Sequence, residues 1–157
     1  MKLRKTALLL AAASLLPIGV LAAPAGAATA PGKCTKLVTK TSGAKINATL
    51  SKCTPAAVTG GTGTGTFTST GAPSGTLNIS IKWAAGKGTT KANLKFATQP
   101  SKGKCPAGTT ARYKITGQVT GGAGVAFKTI KKGQPVTGSV CVGAKGYTLE
   151  PGSVLKF

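Results

Sequence analysis

The side chains that carry most enzymatic proton transfer are nearly missing from this chain. Among 157 residues there is no histidine, and Asp and Glu together number one, the single carboxylate being Glu150. General acid-base catalysis draws on a group that titrates near the working pH or on a carboxylate pair. The Ser-His-Asp triad, the two-carboxylate glycosidase arrangement and His-ligated metal sites are therefore excluded by composition. What the filter leaves is a Ser-Lys dyad, and S-x-x-K occurs at Ser42 to Lys45 and at Ser153 to Lys156. The companion S-x-N and K-T-G elements are missing, so neither match is read as an acyl-transfer site. No G-x-x-x-x-G-K-[ST] run is present, so the Thr/Gly-rich stretch before Gly75 is no phosphate loop. Glu150, a lone carboxylate beside Pro151 and Gly152 among many lysines, reads as a solvated or salt-bridged surface group. No catalytic residue, metal ligand or cofactor is expected.

The four cysteines, Cys34, Cys53, Cys105 and Cys141, contain no C-x-x-C pair of the kind that holds zinc. Two disulfides are the alternative, and four cysteines allow three connectivities. If Gly43 and Ala44 form a tight turn, Leu37 falls opposite Leu50, Thr39 opposite Ala48 and Thr41 opposite Ile46. The same register sets Cys34 opposite Cys53, which leaves Cys105 for Cys141. The other face of that ribbon then carries Lys36, Lys40, Lys45 and Asn47.

The remaining chemistry is charge. Lys and Arg number 21 for a formal net charge of +20, a field that attracts polyanions and is screened by salt. Lysine is used almost to the exclusion of arginine, the residue suited to bidentate phosphate and guanine contacts. The aromatic residues fall mostly on the apolar strand parity and offer no stacking platform. Specific nucleic-acid recognition is thus disfavoured, and diffuse attraction to anionic cell-envelope or matrix polymers is preferred. Lys82, Lys91, Lys95, Arg112 and Lys114 share a face if the strands bearing them are neighbours. The competing reading is that the lysines only keep an exported β-rich protein soluble and its edges unpaired.

The elements that must position these groups read as strands. From Gly75 to Thr98, Leu77, Ile79, Ile81 and Trp83 alternate with polar residues, and Ala92, Leu94 and Phe96 repeat the pattern after AAGKGT. Trp83, the only tryptophan, is the expected core anchor. Further strands are expected near Thr64 to Thr68 in a Thr/Gly stretch, at Thr110 to Thr120, from Val125 and Phe127, at Val136 to Val142, and as a last pair, Tyr147 to Leu149 and Val154 to Phe157, joined by a tight turn at Glu150-Pro-Gly. No helical periodicity stands out after residue 27. About eight or nine short strands with two disulfides predict an all-β, antiparallel, immunoglobulin-like sandwich.

The N-terminus reads as a secretory signal: Lys2, Arg4 and Lys5 precede the apolar run Ala7 to Val20 and small residues ending near Ala27. The expected organisation is a signal peptide at 1–27 and one sandwich domain at 28–157, secreted, with no membrane span in the mature chain. The alanine-rich leader, the Thr/Gly-rich short strands and the terminal TLEPGSVLKF resemble small exported β-sandwich proteins of high-GC Gram-positive bacteria. That resemblance implies the fold and carries over no functional residue. The alternative to a polyanion binder is a protein-binding module, an inhibitor or effector, that meets an extracellular protein through loops 54–76 or 101–108.

Overall fold

The computed structural model describes residues 31–69, 74–100, 105–144 and 146–157; the expected signal peptide and its cleavage point lie outside them. The strands are β1 (Lys33–Ser42), β2 (Lys45–Thr54), β3 (Gly61–Ser69), β4 (Gly75–Trp83), β5 (Gly88–Gln99), β6 (Thr109–Ala123), β7 (Pro135–Gly143), β8 (Gly146–Leu149) and β9 (Leu155–Lys156). A one-and-a-half-turn helix, α1 (Gly124–Thr129), follows β6. From β1 to β8 each strand pairs antiparallel with the next.

The ring then closes. Val38 of β1 lies opposite Thr148 of β8, and Cys34 of β1 lies opposite Leu155 of β9. Because β9 also pairs with β7, through Thr137 and Lys156, β8 and β9 share one position in the ring. The architecture is an eight-stave up-and-down barrel, which corrects the expected immunoglobulin-like sandwich. Alternating residues specify a strand with one buried face, and a sandwich and a barrel need that equally. Only the pairing of the first strand with the last separates them, and that pairing removes the open edges.

The hairpin registers follow the alternation. Leu37 faces Leu50, Thr39 faces Ala48, Thr41 faces Ile46 and Cys34 faces Cys53. Gly43 turns the ribbon at φ 57°, the left-handed region that glycine enters without strain. In the next hairpin Leu77 faces Leu94 and Ile79 faces Ala92. Apart from the exposed Thr41, these side chains point into the barrel and are buried, as are Ile115, Val119, Val136 and Val140 from β6 and β7.

The strand β3 is longer and more central than the Thr/Gly composition suggests. It is flanked on both sides, by β2 and β4, so it is not an edge, and residues 61–69 of segment 54–76 are strand while 70–73 lie outside the described residues. Its threonines, Thr62, Thr64, Thr66 and Thr68, are exposed, while the glycines between them take the inward positions. A methyl group added at Gly63 would lie 2.8 Å from Ile79 Cδ1, and one at Gly65 would lie 2.7 Å from Leu77 Cδ1. The bulky inward row of β4 already fills that part of the lumen, and at Gly63 and Gly65 β3 supplies backbone alone. An eight-stranded barrel is just wide enough for side chains to fill it, so a full row on one stave requires a bare row beside it.

A second correction concerns Val125 and Phe127, expected to begin a strand and found in α1. Gly124 turns the chain at φ 79° out of β6. The helix then lies across one end of the barrel, burying Ala126 and, just beyond it, Ile130, while Val125 stays 52% exposed. Trp83 is buried at the same end, 1% exposed, with its ring edge-on to Phe157 at 5.7 Å and its Nε1 donating to Thr90 Oγ1 at 2.8 Å. At the opposite end Phe96 is edge-on to Phe67, Tyr113 and Tyr147 at 5.7, 6.4 and 6.0 Å.

Candidate functional site

The barrel presents two surfaces to a ligand, its lumen and its outer wall. The lumen holds a cavity of about 40 Å³ whose lining, Thr39 and Tyr147 apart, is apolar and includes Leu77, Ile79, Leu94 and Phe96. Sites for small organic molecules run to roughly 300 Å³ and more. The interior is therefore a packed core, which leaves the outer wall as the candidate.

On that wall the residues expected to converge lie on three adjacent staves. Lys82 is on β4, Lys91 and Lys95 are on β5, and Lys114 is on β6, all four exposed. The ladders set Lys91 between Ser80 and Gly121, and Lys95 between Thr76 and Thr116. The neighbouring outward residues are amides and hydroxyls. Asn93 Nδ2 donates to Asn78 Oδ1 at 2.7 Å, and a shallow trough over β5 and β6 is lined by Asn93, Lys95, Thr116, Gln118 and Thr120. Strands place these groups well because alternate residues must point outward once Leu94, Phe96 and Ile115 point in.

Arg112 sits on the same stave as Lys114 but is occupied. Its Nε and Nη2 both reach Glu150 Oε2 at 2.8 Å, and its Nη1 donates to the Pro100 carbonyl at 3.4 Å. Glu150 is buried, 4% exposed, so the expected surface carboxylate is in fact enclosed. The tight turn that follows, closed by Ser153 N–H donating to the Glu150 carbonyl at 2.8 Å, folds the side chain back onto β6. Arg112 thereby leaves the set available to a polyanion, and its charge is compensated where those of the four lysines are not. No other ion pair occurs among the described residues.

The cysteines form Cys34–Cys53 and Cys105–Cys141, with Cα separations of 3.9 and 5.7 Å, so no thiolate is left for metal or nucleophilic chemistry. Cys141 points outward, as its parity requires, yet is only 2% exposed. In the S-x-x-K pairs, Ser42 lies opposite Lys45 across the β1–β2 turn, and Ser153 Oγ accepts the Ser139 N–H at 3.2 Å. Residues 101–104 of the second candidate loop lie outside the described set. No helix among the described residues is long and apolar enough to cross a membrane.

Sequence reasoning missed a second lysine group, on β9, β1 and β2: Lys156, then Lys33, Lys36 and Lys40, then Lys45 and Lys52, all exposed. The outward parity of Lys36, Lys40 and Lys45 was legible from the ribbon. The placement of Lys156 directly opposite Lys33 comes from the β1–β9 pairing, which no local signal announces. No protein-family model, curated protein or solved structure matches this chain.

Proposed function

We propose that the protein is a non-catalytic binder of anionic cell-envelope or matrix polymers, acting outside the cell through the outer wall of β4, β5 and β6. The observation that carries this reading is the cluster of Lys82, Lys91, Lys95 and Lys114 on adjacent staves around a trough of amide and hydroxyl groups. The only carboxylate side chain is meanwhile tied to Arg112. A polymer with regularly repeated anionic groups meets several ammonium groups at once on such a wall. Each contact is weak and salt-screened, and their sum sets the affinity. The non-catalytic part rests on composition, since no histidine and no carboxylate pair exists to move a proton. The two disulfides are compatible with an extracellular protein.

The test is retention on immobilised heparin. The wild type should elute above roughly 0.15 M NaCl, where the screening length is about 8 Å. The variant K82Q/K91Q/K95Q/K114Q should elute well before a charge-matched control, K87Q/K128Q/K131Q/K132Q, which alters lysines around α1 and in the β4–β5 turn. Wild-type elution below that salt, or equal elution of the two variants, removes the proposal.

A further inference from the structure

The second lysine group has a definite position relative to the first. In the closed ring the central strand of one group is β1 and that of the other is β5, four staves apart whichever way the ring is counted. The staves midway between them, β3 and β7, carry no lysine: their sequences are GTGTGTFTS and PVTGSVCVG. Among the described residues, the lysines of the barrel strands therefore fall into two patches on opposite sides. A charge serving solubility alone has no need of such a division.

The patch around β1 also contains a feature that calls for an anion. Lys33 and Lys156 are directly opposite each other across two strands, and no carboxylate side chain lies among the described residues to compensate them, Glu150 being held by Arg112. Like charges in direct cross-strand register destabilise the pairing, and an anionic group seated between them reverses the sign of that contribution. Lys36 and Lys52 extend the patch along the same wall, with Thr35 Oγ1 donating to the Lys52 carbonyl at 3.3 Å.

We infer that the barrel is bivalent, with β9–β1–β2 forming a second polyanion site, so that one molecule bridges two anionic polymer strands. The inference rests on the proposed function for its first site and adds the second site and the cross-linking that follows from it. Two sites on opposite faces cannot share one short, stiff oligomer. They can hold two segments of long chains, and the second attachment then gains from the local concentration set by the first.

The experiment uses a heparin hexasaccharide and long-chain heparin. Calorimetric titration of the disulfide-bonded protein with the hexasaccharide should give two bound per barrel. K82Q/K91Q/K95Q/K114Q and K33Q/K36Q/K40Q/K156Q should each bind one. Long-chain heparin should raise light scattering with the wild type and with K87Q/K128Q/K131Q/K132Q, and scattering should fall to baseline with either single-patch variant. Melting temperatures that match or exceed the wild type exclude misfolding as the cause, because every lysine substituted in the two patch variants is exposed and its loss relieves repulsion. One hexasaccharide per wild-type barrel, or scattering that survives loss of either patch, overturns the bridging while leaving the single-wall function intact. Absence of any heparin binding overturns both.

Discussion

At the scale of single residues, two polar groups sit where the sequence suggested only apolar packing. The Trp83 indole fills one end of the lumen, and its Nε1 reaches Thr90 Oγ1, itself fully buried. Trp83→Phe leaves that hydroxyl without a partner and should cost about 1–3 kcal/mol from this cause alone, in addition to lost ring volume. Thr90→Val strands the indole N–H in the same way. The double variant should therefore cost less than the sum of the singles in urea denaturation, and strict additivity would mean that the bond contributes nothing. The second group is Tyr147, whose hydroxyl pKa is raised above the usual 10.0, first by burial and then by the neighbouring Tyr113. The fold thus favours the neutral phenol. Its contribution is intact below about pH 10, the unfolded value, and is lost as pH rises from there toward the folded value, because the unfolded chain releases its proton first. The fall in Tm between pH 9 and pH 11 should be smaller in Tyr147→Phe than in the wild type; an equal fall would contradict the assignment.

At the scale of elements, β3 illustrates how a strand can be specified by its neighbour. Composition alone makes GTGTGTFTS look like a loop, since glycine weakens an isolated strand. Beside the bulky inward row of β4, the same glycines are required by space. Gly63→Ala should cost about 1–3 kcal/mol through overpacking, because the new methyl meets Ile79 Cδ1. Adding Ile79→Val removes that carbon and should recover part of the loss, whereas Thr64→Ala on the outer face should change stability by no more than about 0.5 kcal/mol. A chemical-denaturation series over these variants checks the point, and failure of Ile79→Val to rescue would place the strain elsewhere. The helix α1 shows the converse: three alternating residues at Val125 to Phe127 are too few to define a period, and Gly124 with the barrel end beneath it decided the conformation.

At the scale of the whole molecule, charge and closure act against each other. The chain carries a formal +20 over 157 residues, and ten of its lysines lie in two opposed patches on a barrel whose seam joins β1 to β8 and β9, where Lys33 meets Lys156. Raising NaCl from 0.01 to 0.15 M shortens the screening length from about 30 to about 8 Å. It should raise Tm by several degrees, the shift that ~1 kcal/mol gives in a domain of this size. The rise should be smaller in K33Q/K36Q/K40Q/K156Q, since those lysines line the seam. Calorimetry at the two ionic strengths measures it, and a Tm independent of salt would mean that self-repulsion is negligible.

Local patterning by itself determined which residues face inward on most strands, the register of the first hairpin, the pairing of Cys34 with Cys53 and, by subtraction, of Cys105 with Cys141. It also determined that the chain has no histidine and no carboxylate pair. These follow from residue type and from spacings of one or two positions, which a reader of the chain can count. Only the tertiary structure decided that the strands close into a barrel, that Glu150 is enclosed against Arg112, and that the lysines divide into opposed patches. Each of those depends on contacts between residues far apart in sequence, Arg112 with Glu150 or Lys33 with Lys156. The free energy of such contacts depends on which strands become neighbours, and no short window of sequence encodes that.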